Sequence, residues 1–210
     1  MTNIDVTALT NPLHIGNGVD RLTIEPDGSM KLEGSATAYD DLQGPITGAN
    51  LYSVAGKADY DFDEQCVVLQ PDGSITTLGD IVDITLQLRH RAVLDTPLKL
   101  HIHWEQPSAV ARTFTFKYRV QGQGQPKVTT WSSNIVVNTA TAGVNSFTYT
   151  SGTLNQISRL GDISTTGKGL SSMIQIKLAR TDANAGNINA TFIDCHYAID
   201  SLGSREELIK

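Results

Sequence analysis

The segment His101-Ile102-His103-Trp104-Glu105 sets two imidazoles and a carboxylate at alternate positions. On a β-strand, alternate side chains share one face at a spacing of about 7 Å, so the three groups would project together. Imidazole and carboxylate are the donor types that a divalent transition metal accepts. A further imidazole, His196, stands in Asp194-Cys195-His196-Tyr197 near the end of the chain. If that late strand neighbours the first, His196 joins the set with Asp194 on its face. His101, His103, Glu105 and His196 are therefore the candidate metal ligands. Histidine is more often held by hydrogen bonds at a strand face or a subunit contact, and that arrangement is the one expected here, with no metal and no cofactor.

Other chemistry finds less support. Cys66 in Gln-Cys-Val-Val and Cys195 beside Ile193 are placed as small buried thiols, and no Gly-x-Ser-x-Gly elbow occurs, so no catalytic residue is assigned and no enzyme is expected. The glycines of Gln-Gly-Gln-Gly-Gln-Pro at 121–126 lack the lysine and hydroxyl of a phosphate loop and suit a flexible hairpin instead. The acidic run Asp59-Tyr60-Asp61-Phe62-Asp63-Glu64 lacks the glycine that a curved calcium loop requires. Its alternation fits a solvated strand face, with Tyr60 and Phe62 opposite the acids.

The elements that must carry these groups read as strands. In Thr113–Gln121, Phe114, Phe116, Tyr118 and Val120 alternate with Thr115, Lys117 and Arg119, and Met173–Arg180 repeats the pattern through Ile174, Ile176 and Leu178. The second of these patterns belongs to a strand expected over 172–180, and further strands are expected over 84–91, 98–105, 127–137, 146–152 and 189–200, with a helical turn at 204–209. The tetrapeptide Pro-Asp-Gly-Ser occurs at 26–29 and 71–74, and both copies predict a β-hairpin turn, since Pro sets the first corner, Asp bonds forward and Gly accepts positive φ. With 18 glycines, 6% aromatics and many Thr, Ser and Asn, the fold class is all-β, an antiparallel β-sandwich of jelly-roll type. Residues 1–20 lack any sustained period and are expected to form an extended N-terminal arm; residues 21–210 form the sandwich.

Sixteen basic against 22 acidic residues give a net charge of −6, which offers no attraction to nucleic acid or to an anionic membrane surface. No apolar run is long enough to span a bilayer, and the amino terminus has no secretory pattern, so folding in the cytosol is expected.

Three segments together resemble a family of tailed-bacteriophage virion proteins: Ser-Ala-Thr-Ala-Tyr-Asp-Asp-Leu-Gln-Gly-Pro at 35–45, Leu-His-Ile-His-Trp-Glu-Gln at 100–106, and Cys-His-Tyr-Ala-Ile-Asp leading to Gly-Ser and acids at 195–210. They occur in the family's order, and the resemblance spans about residues 21–210. It implies a structural virion protein and carries over no site residue. Together with the arm and the acidic sandwich it leads us to expect a capsid cement or decoration protein on the outer capsid surface, made in the bacterial host cytoplasm. Its partners would be the major capsid protein and itself, as a homotrimer that multiplies modest contacts. Two alternatives stay open. One is a tail or head fibre component that binds a host surface glycan through its Thr/Asn/Gln loops. The other is a metalloenzyme resembling cupins, which carry a His-x-His motif on a jelly roll; here Pro107 and Ser108 stand where the cupin acid would come.

Overall fold

Alternation of residue type becomes alternation of burial. In the strand Thr113–Gln121, Phe114, Phe116 and Val120 are buried while Lys117 and Arg119 lie at the surface, and in Met173–Arg180 Ile174, Ile176 and Leu178 point inward between Gln175 and Lys177. The computed structural model describes residues 10–36, 38–51, 56–106, 110–139 and 156–200. Their strands are β1 (Leu13–Asn17), β2 (Asp20–Ile24), β3 (Met30–Glu33), β4 (Ala38–Pro45), β5 (Asn50–Leu51), β6 (Ala58–Asp61), β7 (Cys66–Leu69), β8 (Val82–Gln87), β9 (Leu98–Glu105), β10 (Thr113–Gln121), β11 (Ile135–Asn138), β12 (Gln156–Ile163), β13 (Met173–Arg180) and β14 (Ile188–Ile199).

Two antiparallel sheets make the sandwich, ordered β11-β10-β13-β8-β5 and β12-β9-β14-β7-β6. The long strand β14 has β9 on one side. Its other side is shared by β7, at Ile188 to Ala190, and by β4, from Phe192 to Ile199. One apolar cluster fills the space between the sheets. Trp104 of β9 meets Phe114 of β10 edge-on, with ring centroids 5.6 Å apart, and Ile102, Ile174, Ile176 and Ile193 are fully buried around them. Each large apolar side chain buried this way contributes about 1.5–3 kcal/mol. The all-β sandwich expected from the sequence is thus present.

The two Pro-Asp-Gly-Ser copies part company. At 26–29 the expected hairpin forms between β2 and β3: Gly28 takes φ 82°, and the Asp27 carboxylate accepts from the Ser29 N–H at 2.9 Å. At 71–74 no hairpin forms, and this corrects the expectation. There Asp72 takes φ 61° and donates its N–H to the Asp182 carbonyl at 2.6 Å, while the buried Asp80 carboxylate accepts from the N–H groups of Lys57 (2.9 Å) and Ser74 (2.8 Å). Those long-range bonds hold the segment as a loop, with a 3₁₀ turn at Leu78–Asp80, that carries the chain from one sheet to the other.

Residues 13–20, expected within an extended arm, instead begin a three-stranded sheet of β1, β2 and β3, in which His14 and Thr23 bond through their side chains at 2.9 Å. None of its residues enters the apolar core clusters, which explains why no hydrophobic period announced it. Residues 1–9 lie outside the described residues. The acidic run is strand only to Asp61; the carboxylate of Asp61 then accepts from the N–H groups of Asp63 and Glu64, both at 3.1 Å, closing the turn into β7 with Phe62 exposed. Of 127–137 only Ile135–Asn138 pairs, because Ser132 reaches β10 by a single backbone bond to Tyr118 and Trp131 lies beneath Lys117, Arg119 and Lys177. The strand expected at 146–152 and the turn at 204–209 lie outside the described residues.

Candidate functional site

The outer face of the six-stranded sheet is where the histidines gather. Along β9 the core takes Leu98, Leu100, Ile102 and Trp104, so Lys99, His101, His103 and Glu105 face outward. In β14 a register shift between Ala190 and Phe192 resets the alternation, so Ile193, Cys195 and Tyr197 point inward and Phe192, Asp194 and His196 outward. The pairing then sets Asp194 opposite His101, Phe192 opposite His103 and, across the other edge, His196 opposite Asp41 of β4.

Three of these side chains converge. His101, Asp194 and His196 each offer a ligand atom within 4.8 Å of the others. The His101 and His196 rings lie 4.2 Å apart, tilted by 38°. His196 Nε2 faces two carboxylates at once, 3.3 Å from Asp194 Oδ2 and 3.1 Å from Asp41 Oδ1. Asp194 Oδ1 stands 3.3 Å from His103 Nε2. His101 is 6% exposed and Asp194 3%, and His101 Nδ1 and Asp194 Oδ1 are both buried without completing a hydrogen bond. Burial pushes the His101 pKa down and the neighbouring His196 adds to the effect, so its imidazole is neutral at pH 7. Burial acts to raise the pKa of Asp194, but the adjoining His103, with the other two histidines adding to it as they protonate in acid, outweighs burial and holds the pKa below the usual carboxylate value. An open groove of about 450 Å³ reaches this cluster past His103, Phe192 and Gln43.

The structure brings only some of the four candidate residues together. His101 and His196 come together, with Asp194, which the sequence placed beside His196. His103 touches Asp194 from the far side of the cluster. Glu105 is not part of it, since its carboxylate accepts from Asn189 Nδ2 at 3.0 Å on the next strand. Asp41 is a new member; only the β4–β14 pairing, which nothing in its local sequence announces, reveals it.

No protein-family model and no curated protein matches the chain.

Of the segments 35–45, 100–106 and 195–210, the described residues fall largely in β4, β9 and β14, with β14 pairing both of the others. The Asp40-Asp41 pair of the first meets the His196-Tyr197 pair of the third, residue against residue. On the outer face Asp41 takes His196. On the inner side the Tyr197 hydroxyl donates to Asp40 Oδ2 at 2.5 Å and receives Arg91 Nε at 3.1 Å, and Arg91 also closes on Asp40.

A second polar cluster sits elsewhere in the sandwich. Arg112 and Arg180 are fully buried around Asp182; Arg180 also donates to the carbonyls of Leu69 (3.1 Å) and Gly186 (2.6 Å), while Arg112 donates from Nε to Gln106 Oε1 (2.5 Å) and from Nη1 to the carbonyls of Asn184 (3.1 Å) and Ala185 (3.2 Å), leaving its Nη2 buried without a hydrogen-bond partner. Most of the donors of both guanidiniums are thus spent on the protein's own loops, so this cluster braces the fold. Among the described residues no helix is long and apolar enough to cross a membrane.

Proposed function

We propose that the chain is a non-enzymatic structural protein of a tailed-bacteriophage virion, a capsid cement protein that decorates the outside of the shell as a homo-oligomer, a trimer in the simplest arrangement. The observation that carries this is the spatial unity of the three resembling segments. They are far apart in sequence, yet their described residues fall in three neighbouring strands whose Asp-Asp, His-x-His and His-Tyr residues contact one another, which favours one unit over three unrelated short matches.

Two further features support it. The order β7-β14-β9-β12 facing β8-β13-β10-β11 is the strand order of a jelly roll, an architecture at home in viral shells. The β1–β3 sheet, outside the apolar core, exposes Ile15 and Val19 and is tied to the sandwich through the Leu32 N–H on the Asp200 carbonyl, an element suited to lying on a neighbour. Oligomer symmetry then multiplies weak contacts through effective concentration. Electron microscopy of virions with and without the protein tests the proposal. Added density on the shell surface is the expected result; density confined to the tail would overturn it.

A further inference from the structure

We infer that His101, Asp194 and His196 form a binding site for one divalent first-row transition-metal ion, with Zn²⁺ as its natural probe, and that the ion clamps β9 to β14. The metal site is independent of the virion role, since either can fail alone.

Three observations converge on it. The first is composition: two imidazoles and a carboxylate are a recurrent protein donor set for such ions, and each presents a ligand atom within 4.8 Å of the rest. The second is spacing. Donors held about 2.1 Å from a tetrahedral ion stand about 3.4 Å from one another, and His196 Nε2 and Asp194 Oδ2 are 3.3 Å apart. The third is the set of bonds left unmade. His101 Nδ1 is buried without a hydrogen bond, and buried Asp194 Oδ1 has only the long 3.3 Å approach of His103 Nε2, which does not complete one. His196 Nε2 faces two carboxylate oxygens, Asp194 Oδ2 and Asp41 Oδ1, while one imidazole N–H can serve only one of them well. A cation among these groups satisfies more of them than a proton can.

The charge agrees. Asp194 and Asp41 bring two negative charges, while Arg159, which acts on His101, is engaged with Asp162 at 2.5 Å, and Lys99, paired with His196 across the strands, lies over the Tyr39 ring at 4.6 Å. His103 beside Asp194 and Asp41 at the open rim are outer groups that orient the ligands, the usual companions of a protein metal site. Because the site joins adjacent strands on the sheet's outer face, its effect is on stability, through preferential binding of the folded state.

Isothermal titration of chelator-treated, metal-free protein with Zn²⁺ tests the site, with Co²⁺ absorption as a readout of coordination. Wild type is expected to bind one equivalent, to give Co²⁺ ligand-field bands and to melt at a higher temperature when Zn²⁺ is present. His196→Ala, at a side chain already 40% exposed, should keep the far-ultraviolet spectrum and lose at least about 100-fold in affinity, more than outer-group substitutions cost. Asp194→Asn should do the same, whereas Glu105→Gln should bind as wild type does. Absence of stoichiometric binding to wild type would overturn the inference, and so would undiminished binding by the correctly folded His196→Ala protein, which places the ion elsewhere.

Discussion

Arg180 grips both oxygens of Asp182, with Nε 3.1 Å from Oδ2 and Nη2 2.9 Å from Oδ1, inside a region where neither the guanidinium nor its neighbour Arg112 is exposed. One carboxylate thus serves two buried cations. Arg112 stands 3.6 Å from the same Oδ1.

Removing that carboxylate should be severe. Asp182→Ala leaves two guanidiniums buried together, and we expect a loss of about 3–5 kcal/mol in urea unfolding, the range for breaking a buried ion pair by deleting one partner. A loss under about 1 kcal/mol would mean that the loop carbonyls alone hold both cations.

The same pair sets an acid limit. Burial acts to raise the Asp182 pKa, but the Arg180 hydrogen bond, the Thr113 N–H and the two guanidinium charges together hold it below the usual carboxylate range. A folded pKa below the unfolded value adds stability above about pH 4 that is lost as pH falls through the folded pKa. Urea midpoints of wild type and Asp182→Asn should therefore converge as pH falls below about 4, and a constant gap down to about pH 2 would contradict this.

Gly161 occupies the register shift of β12 against β9, at φ +147°, and a Cβ there would lie 3.3 Å from Phe116 Cζ in the opposite sheet. Gly161→Ala should cost about 1–3 kcal/mol, from backbone strain with crowding added. Thermal unfolding reads the effect, and an unchanged midpoint would show that the bulge can relax.

Both thiols should be inert in the folded protein. Burial pushes Cys66 up to about 11, and burial with the Asp194 charge raises Cys195 as well. A thiol-reactive chromogenic disulfide at about pH 8 should label neither until urea is added, after which both should react. Labelling of one thiol in the native state would reveal local opening of its strand.

The sandwich should fold without its first sheet. Since no residue of β1–β3 enters the apolar core clusters, a chain beginning at residue 36 should unfold cooperatively within a few degrees of the full protein. Non-cooperative melting of the truncated chain would make the small sheet part of the core.

Where burial is one-sided, the sequence announces its structure. β9 and β10 run over the residues expected, Leu98–Glu105 and Thr113–Gln121, because their Phe, Ile, Leu and Trp positions alternate cleanly with polar ones. β4 and β12 carry no such signal. Tyr39-Asp40-Asp41-Leu42 spends both faces on polar pairs with β14, and Gly161 interrupts the period of β12. The failed second hairpin has the same origin: Pro-Asp-Gly-Ser codes a turn, but the chain's path beyond it is decided by bonds to Asp182 and Asp80, which lie outside the tetrapeptide. His101 and His196 are legible as candidates by residue type, whereas Asp41 and the exclusion of Glu105 depend on strand order, which alternation alone does not encode.

Strand β14 is the central member of its sheet and the last described strand to be synthesised, with β9 on one side and β4 and β7 on the other. Until Ile188–Ile199 leaves the ribosome, the sheet consists of three separate pieces, β9 with β12, β6 with β7, and β4 alone, whose edges toward β14 are open. Native closure of this sheet must therefore await synthesis of β14. A truncation during synthesis just before β14 would release unpaired edges of β4, β7 and β9, the surfaces most prone to pair with another chain, so the nascent protein is most in need of a chaperone in the interval before β14 emerges.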